Sequence, residues 1–96
     1  MIGERFELGQ TVATPGALQA CEDANVSPSS LLARHQRGDW GDLCEADRRE
    51  NERSLRFGWR LLSSYPLGSP GEAGAIVWCI SEADRSSTCL LLPSEY

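Results

Sequence analysis

Along this 96-residue chain the spacing of apolar and polar positions changes character twice. Residues 6–13, FELGQTVA, alternate loosely, with Phe6, Leu8, Gln10 and Val12 on one side. A period of two predicts a strand from about Arg5 to Val12, bent at Gly9. Thr14 and Pro15 then supply an N-cap and a first helical residue whose φ is already fixed. The helix they open runs to about Ala24, with Ala17, Leu18 and Cys21 inward. Ser27 and Pro28 repeat the signal. Leu31, Leu32 and His35 share one face of this second helix, and Gly38 stops it. Asp39 to Asp42 is a tight loop. A third helix follows from about Glu45 to Arg56. Projection at 3.6 residues per turn puts Leu43, Asp47, Asn51 and Leu55 on one stripe, turned toward the domain. Arg49, Glu52 and Arg53 then point to water.

Near Gly58 the period returns to two. Residues 58–65, GWRLLSSY, read as a strand with Trp59, Leu61, Ser63 and Tyr65 on one side. Residues 66–74, PLGSPGEAG, are a loop by composition. AIVWCIS, 75–81, and STCLLL, 87–92, are strands joined by the turn EADRS, and Pro93 ends the last one. The expected fold class is α+β: a single small domain over residues 1–96, ordered β-α-α-α-β-β-β. Its mainly antiparallel sheet is packed on helices.

Composition narrows the class further. A hydrophobic fraction of 41% and a charged fraction of 24% are ordinary for a globular chain, so a wholly disordered one is excluded. No apolar run approaches the length of a membrane span, and MIGERFELGQ lacks the apolar centre of a signal peptide. The expected compartment is the cytoplasm, with no membrane partner. The net charge of −5 makes nucleic acid an unfavourable partner. The basic residues are all arginine, whose planar fork suits paired bonds to carboxylate or phosphate. Cys21, Cys44, Cys79 and Cys89 form no C-x-x-C pair and there is one histidine, so neither a metal nor a cofactor is expected. The cysteines are read as free, small hydrophobes. A Cys79–Cys89 bridge would need the two directly opposite each other across a hairpin.

Three constellations could carry chemistry. ARHQRGDWGDL, residues 33–43, has a functional reading in which His35 is a general base and Asp39 or Asp42 orients it. Its structural reading gives Gly38 the helix stop and Asp42 the cap of the next helix, with Glu45 completing a capping box. Trp40, between two glycines, then folds back onto the core, and His35 bonds a loop carbonyl. Asp47 and Asn51 form the second constellation. Inward polar side chains need partners, which loop amides or an arginine would supply; the pair either pins the loop or lines a cleft. The third is the turn at Glu82, Asp84 and Arg85, which could present an acid–arginine pair to a protein partner. His35, Asp39 and Asp42 are thus the catalytic candidates. Trp40, Asp47, Asn51, Glu82, Asp84 and Arg85 are the binding candidates.

Three blocks, FELGQTVATPGAL, LLARHQRGDWGDL and ISEADRSSTCLLLPSEY, resemble a family of short proteins from bacterial plasmids and integrative elements. These are known as plasmid-related proteins, some of them labelled type I restriction endonuclease M subunit. The resemblance covers almost the whole chain and implies a mobile-element setting without implying an activity. Its blocks fall on His35, Gly38, Asp39, Trp40, Gly41, Asp42, Glu82, Asp84, Arg85 and Ser86. Ser81 and Cys89 stand where threonine is expected. A DNA methyltransferase would need a glycine-rich cofactor loop and an aromatic catalytic motif, and the sequence has neither.

Two functions of different class follow. One is a non-catalytic interaction protein, accessory or anti-defence in role. It would dock a protein partner or form a homodimer through an exposed sheet face. IVWCIS is apolar on both sides, and Trp59, Trp78, Leu90, Leu91 and Leu92 exceed what one helical layer can cover. The loop PLGSPGEAG and the tail PSEY are the segments that could cover that face instead. The other is a small RNA-acting enzyme of the RelE/ParE toxin type. It requires a concave positive patch from Arg34, Arg37 and Arg85.

Overall fold

The computed structural model describes residues 3–68 and 74–96. Its first strand, β1, spans Gln10–Ala13 and is shorter than the alternation suggests. Gly9 is the reason. Its φ is +67°, and a Cβ there would collide with the backbone of Arg85 and Ser86. The extended path therefore begins only after it. Residues 3–9 run instead as a strap across the helices. The Arg5 N–H donates to the Gln36 carbonyl (2.8 Å), and the Gln36 side-chain amide donates to the Phe6 carbonyl (3.0 Å).

Thr14 caps helix α1, Pro15–Asp23, by accepting from the Ala17 N–H at 3.1 Å. Helix α2 is Pro28–Gln36 and helix α3 is Glu45–Phe57. The N-cap of α3 is Cys44 and not Asp42. Asp42 is held two residues too early, because its backbone N–H donates to the Ser64 carbonyl at 2.7 Å. Gly58 ends α3 in the left-handed conformation, and the amides of Gly58 and Trp59 both donate to the Ser54 carbonyl. Trp59 thus closes the helix and does not enter the next strand. It is 48% exposed. Strand β2 starts at Leu61 and ends at Pro66. Strand β3 is Ile76–Ser81 and strand β4 is Ser87–Leu91, followed by a 3-10 turn at Pro93–Glu95.

The fold is α+β. Its four-stranded sheet has the order β1-β4-β3-β2. The last three strands form the antiparallel meander, and β1 joins β4 in parallel, from Gln10 opposite Ser87 to Ala13 opposite Leu90. The sheet is therefore mixed. Cys79 lies opposite Leu90 and Cys89 opposite Ile80, which puts the two thiols on opposite faces. All four cysteines are free.

The inner face carries Leu61, Ser63 and Tyr65 of β2, Val77, Cys79 and Ser81 of β3, and Thr88 and Leu90 of β4, all fully buried. Ala17 and Cys21 of α1 and Leu31 of α2 pack on it to make the core. Helix α3 does not share that layer. Its Asn51 and Ser54 are buried but Asp47 is exposed, against the inward stripe expected of it. The outer face carries Val12, Leu62, Ile76, Trp78, Ile80, Cys89 and Leu91. Tyr96 packs edge-on against Trp78, ring centres 5.7 Å apart, and accepts a bond from Arg60 Nη1 at 3.2 Å. The tail thus covers the middle of this face. Its margins stay open, with Val12 45% and Ile76 41% exposed. Most of the 66–74 loop, the other segment that could cover this face, lies outside the described residues. No helix among the described residues is long and apolar enough to cross a membrane.

Candidate functional site

His35 lies one turn after Leu31 on the buried side of α2. That position sets its imidazole between two strands. Nδ1 is 2.6 Å from Ser63 Oγ on β2, and Nε2 is 3.0 Å from Ser81 Oγ on β3. Ser81 Oγ is in turn 2.6 Å from Thr88 Oγ1 on β4, which donates to the Leu8 carbonyl of the strap at 2.7 Å. With the ring neutral, proton counting fixes every direction in this chain. Thr88 has one hydroxyl proton, and Leu8 takes it, so Ser81 must donate to Thr88. Ser81 must then accept from His35 Nε2–H. That makes Nδ1 the acceptor of the Ser63 hydroxyl proton. The imidazole is neutral and in one tautomer. Burial, reinforced by the charge of Arg85, pushes its pKa down from 6.5 to about 4.

A serine hydroxyl on a neutral imidazole has the makings of a nucleophile and base, but the groups are sealed. His35, Ser63, Ser81 and Thr88 have no exposed surface. Phe6 meets the His35 ring edge-on at 5.2 Å, Trp40 meets it at 5.7 Å, and Phe6 and Trp40 stack on each other. A general base must reach the proton it removes. Here the same groups join three strands, a helix and the strap.

Neither candidate carboxylate orients His35. Asp39 binds Arg34 Nε at 2.7 Å and Nη2 at 3.3 Å and accepts from the Gly41 amide. The hydrogen bond from Arg34 chiefly holds its carboxyl below the usual range. The Asp39 carbonyl accepts from the buried Tyr65 hydroxyl at 2.6 Å. Asp42 is exposed and acts through its backbone.

The GDWGD loop has a different task. Its Trp40 carbonyl accepts from the Ser64 N–H, and its Asp42 N–H donates to the Ser64 carbonyl, so the loop pairs with the outer side of β2. Gly41 permits this approach. Its φ is +74°, and a Cβ would collide with the Ser64 carbonyl oxygen. Asn51 does the same one step along. Its side chain donates to the Leu62 carbonyl at 2.7 Å and accepts from the Leu62 N–H at 3.1 Å. The partner of Asn51 is therefore a strand, not the loop amides or an arginine. Trp40, 4% exposed, anchors the loop and donates from Nε1 to Glu52 at 3.1 Å. Glu52 also holds Arg5 through two bonds, which chiefly keeps its carboxyl below the usual range. The sequence placed Glu52 in water; it is exposed, yet it ties the strap to the loop. Asp47 has no hydrogen bond or ion pair among the described residues.

The hairpin candidates are also internal fasteners. Arg85 adopts a φ of +60°, and its Nη1 donates to the Trp59, Glu82 and Ala83 carbonyls while Nη2 donates to the Ser54 carbonyl. Asp84 accepts from the Ser86 N–H, and Glu82 pairs with Arg60 at 3.3 Å. The Arg85 guanidinium lies over the Phe6 ring, 5.7 Å from its centre, so the structure links the His35 and hairpin candidates through one aromatic ring. Asp42 and Asp47 stand apart from both. Sequence reasoning missed Ser63, Ser81 and Thr88. The available signal was a polar residue at inward strand positions, facing the only histidine.

Among the described residues, no three His, Cys, Asp or Glu side chains converge as a metal would require. The sequence matches no family model, no curated protein and no solved structure.

Proposed function

We propose that this chain is a non-catalytic interaction protein that acts in the cytoplasm through protein contacts made by its sheet. The mobile-element accessory or anti-defence role is part of the proposal and rests on the three sequence blocks. The observation that carries the interaction reading is the outer sheet face. Val12 and Ile76 are exposed at its margins, and in its middle Tyr96, held by Arg60, stands on a half-buried Trp78. Trp, Tyr and Arg grouped around an apolar patch are the residue types that dominate protein interfaces. The inner polar groups offer no competing site, because His35 and its partners have neither access nor a free proton position.

The state of the arginines supports this reading over an RNA-acting enzyme. Arg5, Arg34, Arg49, Arg53 and Arg60 are paired with carboxylates. Arg48 and Arg85 are held by backbone carbonyls. Of the patch that a toxin would need, Arg34 and Arg85 are already engaged.

Sedimentation velocity of the wild type and of Trp78→Glu, each with its melting curve, tests the reading. The wild type is expected to self-associate, and Trp78→Glu to lose one step of that association at unchanged fold. A folded Trp78→Glu chain that associates as the wild type does would count against the face.

A further inference from the structure

The two edges of the sheet differ in what meets their backbone. At β2, two of the three outward residues are matched, Leu62 by Asn51 and Ser64 by the loop, and the third, Pro66, has no N–H to offer. At β1, the Gln10 N–H donates to Ser86 and the Thr14 N–H to Leu90. The alternation of a parallel ladder then turns the N–H and C=O of Thr11 and Ala13 away from β4. Among the described residues, these four groups have no hydrogen-bond partner. Gln10, Thr11 and Val12 are exposed, and Ala13 is half-buried. The strand, QTVA, has no charge and no proline to turn an incoming strand away.

We propose that this edge pairs with the same edge of a second copy of the chain, antiparallel about a two-fold axis through Val12. The proposal rests on the interaction reading and names where one partner sits. The occupant must be extended, because only an extended backbone offers alternate N–H and C=O groups to Thr11 and Ala13. The segment is complementary to itself. Thr11 of each copy meets Ala13 of the other and exchanges two bonds, which gives four in all. Val12 meets Val12 as the close, non-hydrogen-bonded pair, and its exposed side chain is covered. The two sheets become one sheet of eight strands with both outer faces on the same side. Each copy carries a net charge of −5, so salt strengthens the pairing by screening.

The edge pairs through backbone groups and the outer face through side chains, and the two share only Val12, so with both intact the wild type passes from dimer to tetramer. Sedimentation velocity from low micromolar to near-millimolar concentration reads each step. Thr11→Pro removes an outward N–H without touching the β1–β4 ladder, and a proline is tolerated at such a position. It is expected to weaken the edge step at least tenfold with an unchanged melting curve, while Trp78→Glu stops at the dimer. A Thr11→Pro chain that assembles as the wild type does, beside an impaired Trp78→Glu, overturns the edge and leaves the face standing. A normal Trp78→Glu beside an impaired Thr11→Pro supports the edge and removes the face. A wild type that is monomeric throughout overturns both. Should Thr11→Pro fail to fold, amide exchange of the wild type reads the edge directly: protection of the Thr11 and Ala13 amides that rises with protein concentration supports it, and protection that does not overturns it.

Discussion

One edge of this sheet is closed by side chains and a loop, and the other is left to a strand of four residues. At β2, an asparagine amide imitates a neighbouring strand by donating and accepting at one residue, and a glycine-flanked loop continues the imitation one step on. At β1, protection comes from shortness alone. The difference lies in what the chain places nearby. Helix α3 and the GDWGD loop immediately precede β2 and run beside it. On the side of β1 away from β4, nothing among the described residues bonds to its backbone. Closing an edge locally takes specific residues at specific spacings, and so it concentrates stability on one side of the molecule.

The largest test of that asymmetry is Trp40→Ala. Removing the anchor of the closed edge is expected to cost about 3–5 kcal/mol in denaturant unfolding, with Glu52 losing a donor as well. A cost below about 1 kcal/mol would mean that the loop holds β2 without its anchor. The next test concerns pH. The unfolded chain protonates His35 near 6.5, but the folded chain does so near 4. The contribution of His35 is therefore full above about pH 6.5, falls as pH drops through the interval, and levels off below about 4. The whole change is about 3 kcal/mol. Asp39 and Glu52, held low by their arginines, contribute only at the acid end. His35→Gln should abolish the step between 6.5 and 4, and a step that persists in this variant would assign it to another group.

Asn51→Ala is expected to cost about 1–3 kcal/mol, since it leaves the Leu62 N–H and C=O without partners. The Leu62 amide should then exchange with solvent much faster than in the wild type. At the open edge the expected effect is smallest. Thr11→Ala should change stability by less than about 0.5 kcal/mol. At low protein concentration the Thr11 and Ala13 amides should exchange faster than those of Val12, Leu62 and Ser64. Equal protection at the two edges would erase the comparison.

How far these features are legible in the sequence depends on whether their cause is local. Thr14-Pro15, Ser27-Pro28 and Gly38 announce helix ends because capping acts within a few residues, and the structure has all three. The return to a period of two announces the meander. The parallel place of β1 is not announced, because Gln10 and Ser87 meet only across the whole fold. Asp42 looks like a cap by spacing, yet a long-range bond to Ser64 decides its position. Asp47 and Asn51 share a helical stripe, but a strand edge is narrower than a sheet face and takes only one of them. For the candidate site, the sequence picked out His35 and Trp40 and gave His35 the wrong partners. Its true partners are serines, whose small hydroxyls leave little mark in a hydrophobic pattern.

The parallel pairing of β1 with β4 also sets an order of events. Strand β1 is made first and β4 last, and 76 positions separate Gln10 from Ser86, to which its amide donates. During synthesis, β1 and the strap must wait for β4 to appear. Helices α1 and α2 meanwhile lack the inner face on which they pack. Contacts of such long separation in sequence slow folding and lengthen the interval in which apolar surface is open to other chains. A ribosome carrying this chain therefore holds an incomplete core until β4 has emerged. Folding is then completed by the joining of β1 to β4.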